Sequence, residues 1–188
     1  MIILIIIAIV SVLLISLWAI YNGLVKAKLR TDEALSDITV QEKRRLDLIP
    51  NLVETVKGYV KHEKTTFENI TKARSEVMKT PEGDLSQRAE KENMLSGTLK
   101  SLFAVSENYP DLKADTSFLN LQSELSDTED KIQAARRFYN GNVRDFNMKL
   151  QVFPTNMIGS SLGFKSRDFY DVAESEKAAI KKAPEVKL

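Results

Sequence analysis

No cysteine occurs in the 188 residues. Disulfides, thiolate nucleophiles and cysteine-ligated metals are therefore excluded. Compartment stays open, because a disulfide-free chain can live anywhere. Histidine occurs once, at His62 between Lys61 and Glu63. With no second ligand near it in sequence, it reads as a solvated helix residue. The 7 glycines are scattered, and neither "YNGNV" nor "IGSSLG" has the spacing of a phosphate-cradling loop. The stretch from Met157 to Gly163 does not match the elbow of serine hydrolases. Paired E-x-x-H motifs are missing, which excludes a carboxylate-bridged di-iron bundle on ligands. Acid pairs such as Glu90/Glu92 and Asp127/Glu129 read as helix-surface residues, with no sign of the desolvated cleft that acid–base chemistry needs. Strand-like alternation of useful length is absent. Net charge is +1, with acids balancing bases along each helix, which argues against nucleic acid as a partner. No cofactor, metal or small-molecule substrate is expected.

A further absence is positive in meaning. No Asp, Glu, Lys or Arg occurs from Met1 to Val25. The run "MIILIIIAIVSVLLISLWAI" has the length, about 20 residues, of a helix crossing a hydrocarbon core. Trp18 and Tyr21 stand near its end, where amphipathic aromatics favour the headgroup zone. A cleaved signal peptide fits less well. No basic residue precedes the run, and "SLWAIYNG" carries bulky aromatics where a cleavage site wants small residues. Lys26, Lys28 and Arg30 follow directly, so the positive-inside rule leaves the body on the cytoplasmic side. The expectation is an uncleaved single-pass anchor over residues 1–22, touching lipid through residues 2–21, in a bacterial inner membrane.

Beyond the anchor the apolar period is helical. Phe118, Leu125, Ile132, Tyr139, Phe146 and Phe153 are spaced by sevens, the seam of a coiled coil or bundle. Phe153-Pro154 should end that run. A second helix is expected from Leu85 to Asn108, capped by Asp84 and Gln87 after the turn "KTPEGD". Upstream, one helical pattern covers Asn22 to Lys79. Unbroken it would measure about 85 Å, and half of it would lack partners. A break near Pro50 gives two helices matched in length to the others. That favours an all-α fold: the N-terminal transmembrane helix, then an antiparallel up-and-down bundle of four helices over residues 23–154. A kinked continuous helix and a three-helix bundle is the alternative. Residues 155–188 read as loop and tail, with a short helix near Val172 to Lys182 and Phe164, Phe169 and Tyr170 as pins.

Two polar sets stand out. Arg44, Arg45, Asp47 and Asn51 crowd around Pro50. Arg136, Arg137, Asn140, Arg144 and Asn147 lie on the heptad helix, and Arg137/Arg144 and Asn140/Asn147 are each seven apart. Three readings remain open: a solvated face, a polar layer in which arginines bond Asp47 or Glu129, and an anionic ligand or lipid site. Headgroup capture by "KRR" is disfavoured, since Arg44 would stand about 35 Å above the membrane on a continuous helix. An unfamiliar reaction site built on Arg137, Arg144 and Asn147 is the weakest reading.

The segments "YNGLVKAKLRTDEALSDITVQEKRRLDLIPNLVETVKGYVKHE" and "LQSELSDTEDKIQAARRFYNGNVRDFNMKLQVFP" closely resemble the LemA family of bacterial membrane proteins. The likeness covers nearly the whole chain. It extends to a final "PEVKL", where Leu188 replaces the family's usual terminal aromatic. The resemblance implies a helical bundle behind one membrane helix, a small outside N-terminus and no catalytic activity. A relative in magnetosome-forming bacteria is associated with building membrane compartments. The Pro50 stretch then reads as a helix-to-helix bend with a polar brace. The functional expectation is a non-enzymatic, membrane-anchored scaffold or interaction protein with a protein partner or homo-oligomer. An accessory or adaptor subunit of a membrane protease or other membrane enzyme is the alternative.

Overall fold

The computed structural model describes residues 1–60 and 63–170, and among these no strand occurs. His62, the Val172–Lys182 segment and Leu188 lie outside the described residues. The elements are α1 (Ile2–Lys57), α2 (Lys64–Lys79), α3 (Leu85–Ser106), α4 (Pro110–Lys113), α5 (Thr116–Gln151) and α6 (Thr155–Ile158). The fold is all-α. The chain divides into two compact units. One comprises Met1–Ile38 and Ala135–Phe169. The other comprises Thr39–Ala134 and Tyr170–Leu188, with Tyr170 the described part of its second segment.

The expected break at Pro50 does not occur: α1 runs through it to Lys57. Proline removes the N–H that should bond the carbonyl four residues back. That carbonyl belongs to Leu46, and Arg74 Nε of α2 donates to it at 2.9 Å. A guanidinium thus replaces the missing amide, and Pro50 itself faces solvent. The reversal comes eight residues later, where Gly58 and Tyr59 form a turn on the carbonyls of Thr55 and Val56.

The unit containing Thr39–Ala134 packs five helical segments around one core. The end of α1 gives Ile49, Leu52, Val53 and Val56. Helix α2 gives Phe67, Ile70, Ala73 and Val77, and α3 gives Leu95, Leu99 and Leu102. Leu112 of α4 and Phe118 and Leu125 of α5 complete it. Each large side chain so buried contributes about 1.5–3 kcal/mol of transfer free energy. Helices α2 and α3 form a hairpin across the short 80–84 turn. Asp84 starts α3 as expected, its Oδ1 accepting the Gln87 N–H at 3.0 Å. The "NYPDLK" interruption carries a one-turn helix, α4, with proline in its first turn. Asp115 then starts α5: Oδ1 accepts the Phe118 N–H and Oδ2 the Tyr59 hydroxyl, both at 2.8 Å. These bonds, Phe118's first, hold the Asp115 carboxyl below its ordinary 3.8.

The other unit pairs the start of α1 with the end of α5. Leu24 and Ala27 close on Phe146, with Ile20, Leu150 and Phe164 packed around them. The 36-residue α5 is therefore long enough to partner the first part of α1, which removes the argument for breaking α1 at Pro50. Gly163, at φ +80, makes the turn that returns Phe164 edge-on to Tyr21 and Phe146. The heptad seam is buried from Phe118 through Phe146, but Phe153 is 78% exposed. The helix ends at Gln151, two residues before the last seam position.

Replacing Arg74 by Met should lower stability by about 1–2 kcal/mol, the net worth of a charge-assisted bond to a part-buried carbonyl. In a Pro50→Ala background the loss should shrink, because a backbone N–H again reaches Leu46. Urea unfolding of the four members of that double-mutant cycle in detergent checks the coupling.

Candidate functional site

Helix α1 buries one stripe in which charge interrupts an apolar pattern: Ala34, Ile38, Glu42, Arg45, Ile49, Leu52 and Val56. The spacings of three and four put all seven on one side of the helix. Both charged members are inside. The side chain of Arg45 is 1% exposed and that of Glu42 0%.

Arg45 reaches α3 and α5. It forms an ion pair with Glu92, which is itself fully buried, and another with Glu129. Its Nη1 also donates to Ser96 Oγ at 2.8 Å, and Ser96 Oγ donates to Glu129 Oε2 at 3.0 Å. Gln133 Nε2 donates to the other Glu129 oxygen at 3.1 Å. Glu92 and Ser96, four apart, share the inner side of α3. Taking these charges from water costs several kcal/mol per ion, which only close, multiply bonded geometry offsets. A cleft of about 230 Å³ opens beside the cluster, with Leu99, Phe103 and Leu125 among its walls.

Glu42 anchors a second cluster. Arg88 Nε donates to one carboxylate oxygen at 2.7 Å, and the Tyr170 hydroxyl donates to the other at 2.6 Å. Tyr170 is buried, while Phe169 beside it is 45% exposed.

The remaining predicted positions are dispersed. Asp47, Pro50 and Asn51 are exposed. Arg44 meets Glu124 at 3.5 Å in a pair about half exposed on both sides, worth little. Arg137 is exposed, and Arg144 Nε meets the adjacent Asp145 at 3.3 Å. Arg136 and Asn140 are half-buried on α5. Asn147 grips backbone: its Nδ2 donates to the Arg167 carbonyl and its Oδ1 accepts the Arg167 N–H, each at 2.9 Å. The Arg167 guanidinium pairs with Asp32, and the Tyr139 hydroxyl donates to the Asp168 carbonyl at 2.9 Å. These bonds strap the 164–168 segment onto α1 and α5.

The reading of Glu92 as a surface acid is overturned. Ala89, Glu92, Leu95, Ser96 and Leu99 share α3's inner side, a spacing that does carry the signal. Glu42, within the α1 stripe, was legible in the same way. Arg74, Arg88 and Arg167 had no local signal, because their partners are distant in sequence. Among the described residues no group of three or more His, Asp or Glu side chains is placed to hold a metal ion.

Comparison with known proteins adds the following. The model of the LemA family matches residues 34–188. "Protein LemA" of Metamycoplasma hominis is 29% identical over 159 residues, covering 85% of this chain and 72% of that one. "Magnetosome protein MamQ 2" of Paramagnetospirillum magneticum is 23% identical, covering 80% of this chain and 64% of its own length. "Magnetosome protein MamQ" of Magnetospirillum gryphiswaldense is 21% identical over the same shares. This chain therefore spans a little under two thirds of the magnetosome proteins.

Two outcomes test the clusters. Arg45→Met should destabilise by about 3–5 kcal/mol, because it leaves Glu92 buried without its counter-charge. The triple change Arg45→Met, Glu92→Leu, Glu129→Gln should recover most of that loss in urea unfolding. For Tyr139, burial first, then the carboxylates Asp168 and Asp32, push the phenol above its ordinary 10.0 against the opposing pull of Arg167. The folded protein then holds that proton more tightly than the unfolded chain. Its contribution is complete below pH 10 and is lost as pH rises through the raised folded value. Tyr139→Phe should flatten that alkaline fall in stability.

Proposed function

The chain belongs to the LemA family, and we propose that this membrane protein is a non-enzymatic helical scaffold or interaction protein. The observation that carries the reading is that the charges inside the helices face one another. Arg45 is engaged by Glu92, Glu129 and Ser96, and Glu42 by Arg88 and Tyr170. Such pairing fixes how helices meet and commits these charges to one another. The membrane side of the reading rests on α1, whose first part is long and apolar enough to cross a bilayer and has none of its most apolar window buried. Several relatives carry the name magnetosome protein. That supports a structural role at a membrane by analogy alone.

Light scattering coupled to size exclusion, on the full-length protein in mild detergent, should give one uniform mass above that of a single chain. A monomer that captures no partner from solubilised native membranes would sink the scaffold reading. A monomer that retains a membrane protease or other membrane enzyme would make it an adaptor instead. By the positive-inside rule, Lys26, Lys28 and Arg30 support a body on the cytoplasmic side of a bacterial inner membrane. Protease added to intact cells should therefore spare the body, whereas opened cells should lose it.

A further inference from the structure

We propose that the end of α5 and the turn after it form a second membrane contact, an apolar tip that enters the lipid interface beside the anchor. The inference rests on reading the start of α1 as a membrane span.

The register within this unit sets the height. Ile20 and Leu24 of α1 lie in the same cluster as Leu150 and Phe146 of α5. Further along α1, Ala27 and Arg30 share a surface hollow with Asn142 and Asp145. As α1 numbers fall, α5 numbers rise, so the helices are antiparallel here. Three residues beyond Leu150, Phe153 then comes level with Leu17 and Trp18. Phe164, packed edge-on to Tyr21 at 5.9 Å between ring centres, brings the chain back to α1 about one helical turn above that level, so the stretch between 151 and 164 forms the tip.

That stretch leaves large apolar side chains uncovered. Phe153 is 78% exposed, Met157 69%, Val152 48% and Leu162 38%. Phe153 is also the one heptad position that the protein interior does not take. A basic band lies just above these residues. Lys26, Lys28 and Arg30 on α1 are joined by Lys149 and Lys165, and Lys28 and Lys165 border one hollow. No Asp or Glu occurs from Met1 to Thr31 or from Phe146 to Ser166. Apolar side chains below and a cation-rich band above match a monolayer of anionic lipid, the pattern of an interfacial element. The cations also disfavour a second copy of the same surface, which would set like charge against like.

The missing cysteines make the test direct, since one introduced thiol carries the only label. Full-length Val12→Cys, Phe138→Cys and Phe153→Cys proteins, each bearing an environment-sensitive fluorophore, are reconstituted in vesicles of equal parts phosphatidylcholine and phosphatidylglycerol. Spin-labelled lipids serve as quenchers. Phe138 and Phe153 are both exposed, so neither change threatens the core. Phe138 lies about 20 Å along α5 from the end of the helix that precedes Phe153. The label at 153 should shift to the blue and be quenched several-fold more than that at 138. Lys149→Glu with Lys165→Glu should reduce that quenching, and pure phosphatidylcholine should do the same. Quenching at 12 with none at 153 beyond the level at 138 overturns the proposal and leaves the anchor intact. Absence of quenching at 12 overturns the anchor, and the proposal with it. A label at 153 shielded from water, unquenched by lipid and sensitive to protein density would mean that a second copy covers the tip, which also overturns the proposal.

Discussion

A guanidinium sealed from water between two carboxylates is the constraint on which the helical body depends. Arg45, Glu92 and Glu129 come from three helices, and each of the first two is almost wholly buried. An isolated buried charge is so costly that these helices have few ways of meeting in which all three groups are satisfied. Apolar packing alone would tolerate a helix sliding by a turn, since one Leu can replace another in the seam. A charge that must find its partner does not allow the slip. Gln133 extends the same logic by donating to the Glu129 oxygen that the guanidinium leaves over, while Ser96 donates to the one it shares with Arg45.

The other polar groups follow the same principle, with a guanidinium completing what the backbone or a carboxylate lacks. Arg74 occupies the carbonyl orphaned by Pro50, so a residue that usually ends a helix leaves α1 running on. Arg88 and Tyr170 share the Glu42 carboxylate. Arg167 binds Asp32 through its side chain while its backbone is held by Asn147. In each case residues far apart in sequence meet through short, directional bonds.

The start of α1 obeys a different physics. Nothing in its most apolar window is buried by protein, and the neighbouring end of α5 leaves Phe153 and Met157 uncovered. In water such a surface would be a liability. Beside a membrane-spanning helix and beneath a basic band, it is what an interfacial surface requires. A protein held at two points on a bilayer would have its tilt restricted more than one held by a single helix.

Much of this protein was set by sequence-local physics. Charge-free length marked the anchor, sevenfold spacing marked the α5 seam, and Asp84 with Gln87 marked the start of α3. The LemA likeness was carried by long contiguous blocks, and these are local too. Tertiary structure decided the rest, because each remaining question turned on a distant partner. Pro50 could not declare itself a bend or a continuation without Arg74, which lies 24 residues further along the chain. Glu92 looked like any surface acid until Arg45 was placed opposite it. Phe153 fitted the seam by spacing, and only the end of α5 at Gln151 put it outside. Periodicity fixes which side of a helix a residue occupies. What that side meets is decided by the fold, since pairing a buried charge or satisfying a lost backbone bond requires a second segment of chain.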